Sequence, residues 1–162
     1  MNNLLIRMVR CSIFELPLLR NIRKSVFCKS YSMGIPDYIS NHVVFRTDDN
    51  NATLQIGDRL GASSNVCVDY SGGVIVGNGV WLSEGCRILT KRNEAGISLQ
   101  IGDFAWIGSA SVISLGVRSI GKNAIVGAGA YVCEDVPENA VVIGRPARVI
   151  RFLRDDEIVS GY

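Results

Sequence analysis

Residues 101–135, IGDFAWIGSASVISLGVRSIGKNAIVGAGAYVCED, place an aliphatic residue at every sixth position, usually followed by glycine or another small residue. Self-similarity at a fixed period marks a repeat architecture and is read before individual helices and strands. Ile101, Ile107 and Ile113 form one triplet; Ile120, Val126 and Val132 form the next. Upstream, the same spacing picks out Ile56, Ala62 and Val68, then Val76, Leu82 and Ile88, so twelve six-residue units make four triplets. Four places after each aliphatic the chain is again small or apolar (Leu60, Val66, Gly72, Val80, Cys86, Ala105, Ser111, Val117, Ala124, Ala130, Val136), with Arg92 the one break.

Six residues suffice for one short strand and one corner. Three units bring the chain back to its starting face, so each triplet is a rung of a triangular prism whose inward aliphatics form a continuous column. Gly57, Gly77, Gly102, Gly108, Gly121 and Gly127 each follow an inward aliphatic, which predicts that they supply the turn dihedrals of the corners. Two extra residues separate Val68 from Val76, seven separate Ile88 from Ile101 and one separates Ile113 from Ile120. All three insertions fall at one corner, as expected of an edge that carries functional loops.

Residues 52–152 resemble the left-handed β-helix hexapeptide-repeat acyltransferases, and among them the sugar and xenobiotic O-acetyltransferases. The resemblance is strongest at Asp103–Gly108 (DFAWIG), at Ile125–Asp135 (IVGAGAYVCED), at Val136-Pro137 and at Gly144–Arg151 (GRPARVIR). The left hand of the coil is implied by this resemblance alone, since parallel crossovers ordinarily favour the right hand.

The rest of the chain frames that prism. A length of 162 residues fits one domain with a solid core, and a net charge of +2 excludes nucleic acid as the expected partner. Cys11, Cys28, Cys67, Cys86 and Cys133 are odd in number and show no paired spacing, which fits a reducing, cytoplasmic compartment. Cys86 takes an inward slot and reads as a small core residue. Residues 1–51 form an N-terminal helical segment and a transition. A helix is expected from Pro17, with Leu19, Ile22 and Val26 on one face and Arg20, Arg23, Lys24 and Lys29 elsewhere. It reads either as a cap on the open end of the prism or as a basic amphipathic helix touching an anionic membrane at its inner face. No span long enough to cross a bilayer and no secretory cleavage site is seen. Val43, Val44 and Phe45 are expected to form an irregular first rung. At the other end, the Gly-Arg-Pro turn redirects the chain, and Arg151–Val159 are expected to form a short helix within a tail at 153–162. Asp155, Asp156 and Glu157 lie on its solvated face and have no metal-ligand pattern, so no metal is expected.

Transfer of an acetyl group from a thioester to a hydroxyl needs a base, donors for the developing oxyanion and a groove for coenzyme A. The resemblance implies that the backbone N–H of Ser109 faces the thioester carbonyl and that Trp106 lies beside the pantetheine arm. It implies a backbone contact at Ala128, and Arg148 and Arg151 approaching the nucleotide phosphates. Asp69, with Asn65, is the expected acceptor side. The family base is a histidine in a Thr-His context, and here Thr90 is followed by Lys91. An amine serves as a base only when stripped of water, which leaves His42, the one histidine of the chain, as a second candidate acting in trans. Cys133-Glu134 also departs from the family's Thr-Lys, putting an anion where a cation is usual.

Two functions follow. One is an acetyl-coenzyme A dependent O-acetyltransferase acting on a sugar or glycan precursor, as in surface polysaccharide synthesis. The other is a catalytically degenerate hexapeptide protein with a binding or structural role. Zinc carbonic anhydrases of the same fold are excluded, because one histidine cannot supply three imidazole ligands. A nucleotidyltransferase appendage is not expected, since no Rossmann-type domain precedes the prism. Trp81, Val112 and Ile125 remain outward once the core is assigned, which predicts a homotrimer with sites between neighbouring chains.

Overall fold

The computed structural model of the chain describes residues 34, 36–40, 42–91 and 98–158. The helix expected from Pro17 lies outside them. Along the chain run β1 (Tyr38–Ile39), β2 (Val44–Arg46), β3 (Leu54–Ile56), β4 (Gly61–Ala62), β5 (Cys67–Asp69), β6 (Val74–Val76), β7 (Trp81–Leu82) and β8 (Arg87–Ile88). Then follow β9 (Leu99–Ile101), β10 (Trp106–Ile107), β11 (Val112–Ile113), β12 (Ser119–Ile120), β13 (Ile125–Val126), β14 (Tyr131–Val132), β15 (Ala140–Gly144) and β16 (Ala147–Phe152).

Every third strand lies on the same face. The faces are seven-stranded (β1-β4-β7-β10-β13-β15-β16), five-stranded (β2-β5-β8-β11-β14) and four-stranded (β3-β6-β9-β12). All pairings are parallel except the closing β15–β16 hairpin. The expected prism is therefore present, and the parallel solenoid fits a left-handed β-helix. Register stacks Ile56, Val76, Ile101 and Ile120 on one face. It stacks Ala62, Leu82, Ile107, Val126 and Val142 on the second, and Phe45, Val68, Ile88, Ile113 and Val132 on the third. All twelve aliphatics marked by the period are at most 4% exposed, each contributing about 1.5–3 kcal/mol for a full-sized side chain. Cys86 is fully buried, and burial, with Cys67 nearby, pushes its thiol up to about 12, so it is a core residue.

Three edges join the faces: the first from the seven- to the five-stranded face, the second from the five- to the four-stranded face, the third back again. All three insertions lie on the second edge, between β5 and β6, β8 and β9, and β11 and β12. The first and third edges repeat one turn in every coil, with a left-handed residue three places after the inward aliphatic. These residues are His42, Asn65, Gly85, Ala110 and Gly129 on the first edge, and Arg59, Gly79, Phe104, Asn123 and Asn139 on the third, all with φ between 55° and 68°.

The expectation for the recurrent glycines is thereby corrected. Gly57, Gly77, Gly102, Gly108, Gly121 and Gly127 do not adopt positive φ. They are needed because the next coil lies directly above, its backbone at all but Gly127, where the Ile143 side chain is nearest: a Cβ on Gly108 would stand 2.7 Å from Ala128 N, and one on Gly102 2.8 Å from Lys122 Cα.

The C-terminal helix is corrected as well. Arg151 and Phe152 continue β16 in antiparallel pairing with β15, Phe152 opposite Ala140, and 155–157 form a turn closed by Glu157 N–H donating to Arg154 O at 2.9 Å. Without β16, the polar groups along one side of β15 would be an open sheet edge.

Candidate functional site

On the first edge the left-handed residues of the three upper coils donate their N–H groups to the coil below. Gly85 donates to Ser64 O (3.0 Å), Ala110 to Glu84 O (2.8 Å) and Gly129 to Ser109 O (2.7 Å). These bonds stack the corners about 4.8 Å apart. The residue just before the left-handed one, Glu84, Ser109 or Ala128, keeps its own N–H out of every hydrogen bond among the described residues. The third edge has the same turn, yet there side chains close two such donors: Asn78 Oδ1 accepts from Asp58 N–H (2.9 Å) and Asp103 Oδ1 from Asn78 N–H (2.7 Å).

Trp106 projects from β10 beside the first edge. In the outward ladder, Trp81 already has a structural task, because its ring covers Gly61 and stacks on Tyr38 with centroids 6.2 Å apart. Trp106 is anchored at one atom, Nε1 donating to Ser83 Oγ at 2.8 Å, and remains 53% exposed. An indole pinned by its N–H, with its face in solvent, offers a flat apolar platform.

Above Ala128 comes the turn between β15 and β16. Arg145 donates from Nε to Gly129 O at 2.7 Å. Arg148 Nη1 lies 3.3 Å from Glu134 Oε1. Arg151 is clasped by Glu157 through two bonds of 2.8 and 3.0 Å. Arg151 and the Arg154 N–H together hold the half-buried Glu157 carboxyl well below the usual range, at about 2.

The expected base and acceptor residues lie apart from this corner. Lys91 is exposed on the second edge, its backbone packed over Gly72, just past Thr90, whose hydroxyl donates to Asp69 O (2.8 Å) and accepts from Gly72 N–H (2.9 Å). Within one prism, the width of the five-stranded face, about 15 Å, separates this point from Ser109. Asp69 is already engaged: Oδ2 pairs with Arg46 Nε at 3.0 Å, and Oδ1 accepts from Ser71 N–H (3.1 Å) and Oγ (2.7 Å). Asn65 sits on the first edge, so the structure does not bring it to Asp69. His42 is exposed on the first edge three coils below Ala110, roughly 14 Å away at strand spacing.

No family model matches the chain. An acetyltransferase-named protein of Saccharomyces cerevisiae is 32% identical over 126 residues, 70% of this chain and 64% of that protein. The galactoside O-acetyltransferase of Escherichia coli is 36% identical over 104 residues, 64% of this chain and 46% of that enzyme. The chain thus spans less than two thirds of the length of these relatives. A galactoside acetyltransferase solved in complex with coenzyme A superposes with a TM-score of 0.67 at 25% identity, covering 94% of this chain and 79% of that one. A hexapeptide-repeat acetyltransferase from Vibrio cholerae, at 23% identity and a TM-score of 0.68, shares the fold. The chain has the hexapeptide-repeat fold and is similar to these acetyltransferases.

The first edge offers the kind of chemistry that a thioester ligand can use. Two open N–H donors, at Ser109 and Ala128, stand on consecutive coils beside an exposed indole. Arg145, which the sequence reading passed over, completes the upper end of the same corner. Its only sequence signal is its place in the turn one coil above Gly129, and nothing in its spacing announces the contact. Arg46, the partner of Asp69, was equally invisible, since it comes from an earlier coil.

Proposed function

We propose that the protein is an acetyl-coenzyme A dependent O-acetyltransferase acting on a hydroxyl of a sugar or glycan precursor. The observation that carries this reading is the pair of open backbone donors at Ser109 and Ala128 beside Trp106, and the galactoside O-acetyltransferase relatives support its acceptor class. Bound acetyl-coenzyme A would supply the acetyl thioester. Ser109 N–H then serves as the fixed donor for charge developing on the carbonyl oxygen, a role whose loss typically costs about a hundred- to a thousandfold in rate. Trp106 orients the apolar arm, and Ala128 N–H holds it one coil higher.

A base must come from elsewhere, because Lys91 and Ser109 of one prism are too far apart to share a substrate. A homotrimer resolves this by setting the second edge of one prism against the first edge of its neighbour. Trp106 at 53%, Tyr131 at 42% and Trp81 at 40% exposure supply apolar surface for that contact. Lys91, exposed and standing at the family's histidine position, favours a second reading, a degenerate binding protein.

Acetyl transfer by purified protein to a panel of sugars, against acetyl-coenzyme A hydrolysis alone, separates the readings. Transfer to at least one sugar is expected, with Lys91→His raising turnover and Lys91→Ala lowering it little. Coenzyme binding without any transfer would establish the degenerate reading, and loss of activity in His42→Ala would make His42 of a neighbouring copy the base.

A further inference from the structure

We infer that Arg145, and neither Arg148 nor Arg151, is the principal cation holding the phosphates of the coenzyme, an inference that rests on the coenzyme reading above. Three arginines crowd the β15–β16 hairpin, and they differ in what already occupies them. Arg148 is paired with Glu134 at 3.3 Å. Arg151 is clasped by both oxygens of Glu157. Arg145 has no carboxylate partner among the described residues and is tied to the fold through one N–H, Nε to Gly129 O. A guanidinium offers five N–H donors in a planar fork. The carbonyl takes one, fixes the plane and leaves the charge and both terminal nitrogens available.

Its position is as informative as its freedom. Gly129 is the left-handed residue of the turn whose preceding residue, Ala128, has an unbonded N–H. A backbone donor and a pre-oriented guanidinium therefore meet at the upper end of the corner that presents Ser109 and Trp106. A phosphate approaching Arg148 or Arg151 must first displace a carboxylate of the chain, and the exchange of one ion pair for another yields little net attraction. A phosphate approaching Arg145 displaces only water and forms charge-assisted, potentially bidentate bonds. Glu134 thus neutralises Arg148. Arg145 supplies, from the same turn, a cation unpaired among the described residues.

The test is calorimetry of coenzyme A binding to the full chain, at low and moderate salt, with Arg145→Gln, Arg145→Lys, Arg148→Gln, Arg151→Gln and Glu134→Gln. Charge-assisted bonds to phosphate should make Arg145→Gln about tenfold or more weaker. Its affinity should also depend less on salt than that of the wild type, and Arg145→Lys should recover part of the loss. Arg148→Gln and Arg151→Gln should change affinity less than about threefold, and Glu134→Gln, which releases Arg148, should tighten binding. Wild-type binding with Arg145→Gln indifferent and Arg148→Gln or Arg151→Gln strongly impaired overturns the inference while leaving the coenzyme reading intact. No coenzyme A binding by the wild type overturns both.

Discussion

The first and third edges of the prism are built from the same turn and differ in what closes it. Both place a left-handed residue three positions after an inward aliphatic, and both tie it to the coil below by an N–H to carbonyl bond of 2.7–3.0 Å. On the third edge, Asn78 and Asp103 turn their side-chain oxygens onto the outward N–H groups of Asp58 and Asn78, while in its upper coils the N–H groups of Asp103, Lys122 and Glu138 stay open among the described residues. On the first edge the equivalent positions are Glu84, Ser109 and Ala128, and nothing closes their donors. Unpaired backbone donors forgo stabilisation in the free protein. Open donors in consecutive coils beside an exposed indole are therefore where a ligand is to be sought, and the two capped donors of the third edge, at Asp58 and Asn78, supply an internal control.

The largest expected effect tests what the edges share. Gly108→Val precedes the first edge and Gly121→Val the third, and in each a Cβ would meet the backbone of the next coil, 2.7 Å from Ala128 N and 2.6 Å from Glu138 Cα respectively. Each should lose about 3 kcal/mol or more in urea denaturation, because backbone cannot step aside as a flexible side chain can. A tolerated valine at either site would mean that the two edges are not stacked alike.

The next effect tests where they differ. Trp106→Ala should weaken coenzyme A binding about tenfold while leaving the melting temperature nearly unchanged, since the ring is anchored only at Ser83. Asn78→Ala should do the reverse: it removes the cap on Asp58 N–H, costs about 1 kcal/mol of stability and leaves coenzyme affinity as it was. If both variants affect binding equally, the open edge is not special.

Much of this contrast was hidden from the sequence, although the frame was not. A period of six, with Ile101, Ile107 and Ile113 as its clearest triplet, located twelve stacked inward aliphatics, because inward residues at fixed spacing are a property of the chain alone. The insertions before Val76, Ile101 and Ile120 likewise marked the loop-bearing edge. What escaped depends on neighbouring coils. The glycine at 108 answers to the backbone of 127 and 128 above it, and a left-handed Arg59 or Phe104 carries no residue-type signature. Arg151 and Phe152 read as helical from their flanking charges, yet pairing with β15 outweighs that local preference. Ser109 and Ala128 were named from family resemblance; that their N–H groups are unbonded is visible only in the stacked corners.

The smallest expected effect concerns the tail. Arg151 and Arg154 N–H depress the Glu157 carboxyl to about 2 from an ordinary value of 4.5. A group whose folded pKa is depressed contributes stability above its unfolded pKa and loses it as pH falls through the folded one. The Arg151 clasp should therefore hold at neutral pH and down to about pH 2, followed by the carboxyl carbon shift in an NMR titration. A midpoint near 4.5 would show that Arg151 is free to meet phosphate after all, and would shift weight away from Arg145.

Residue-resolved amide hydrogen exchange by NMR, with and without coenzyme A, reads the difference between the edges most directly. Alone, Ser109 and Ala128 should exchange quickly, as unbonded surface amides do, while Asn78, capped by Asp103, exchanges slowly. With coenzyme A, Ser109 and Ala128 should both become protected and Asn78 should not change. Coenzyme A binding that protects amides elsewhere and leaves Ser109 and Ala128 exchanging as before would contradict the assignment of the first edge as the coenzyme site.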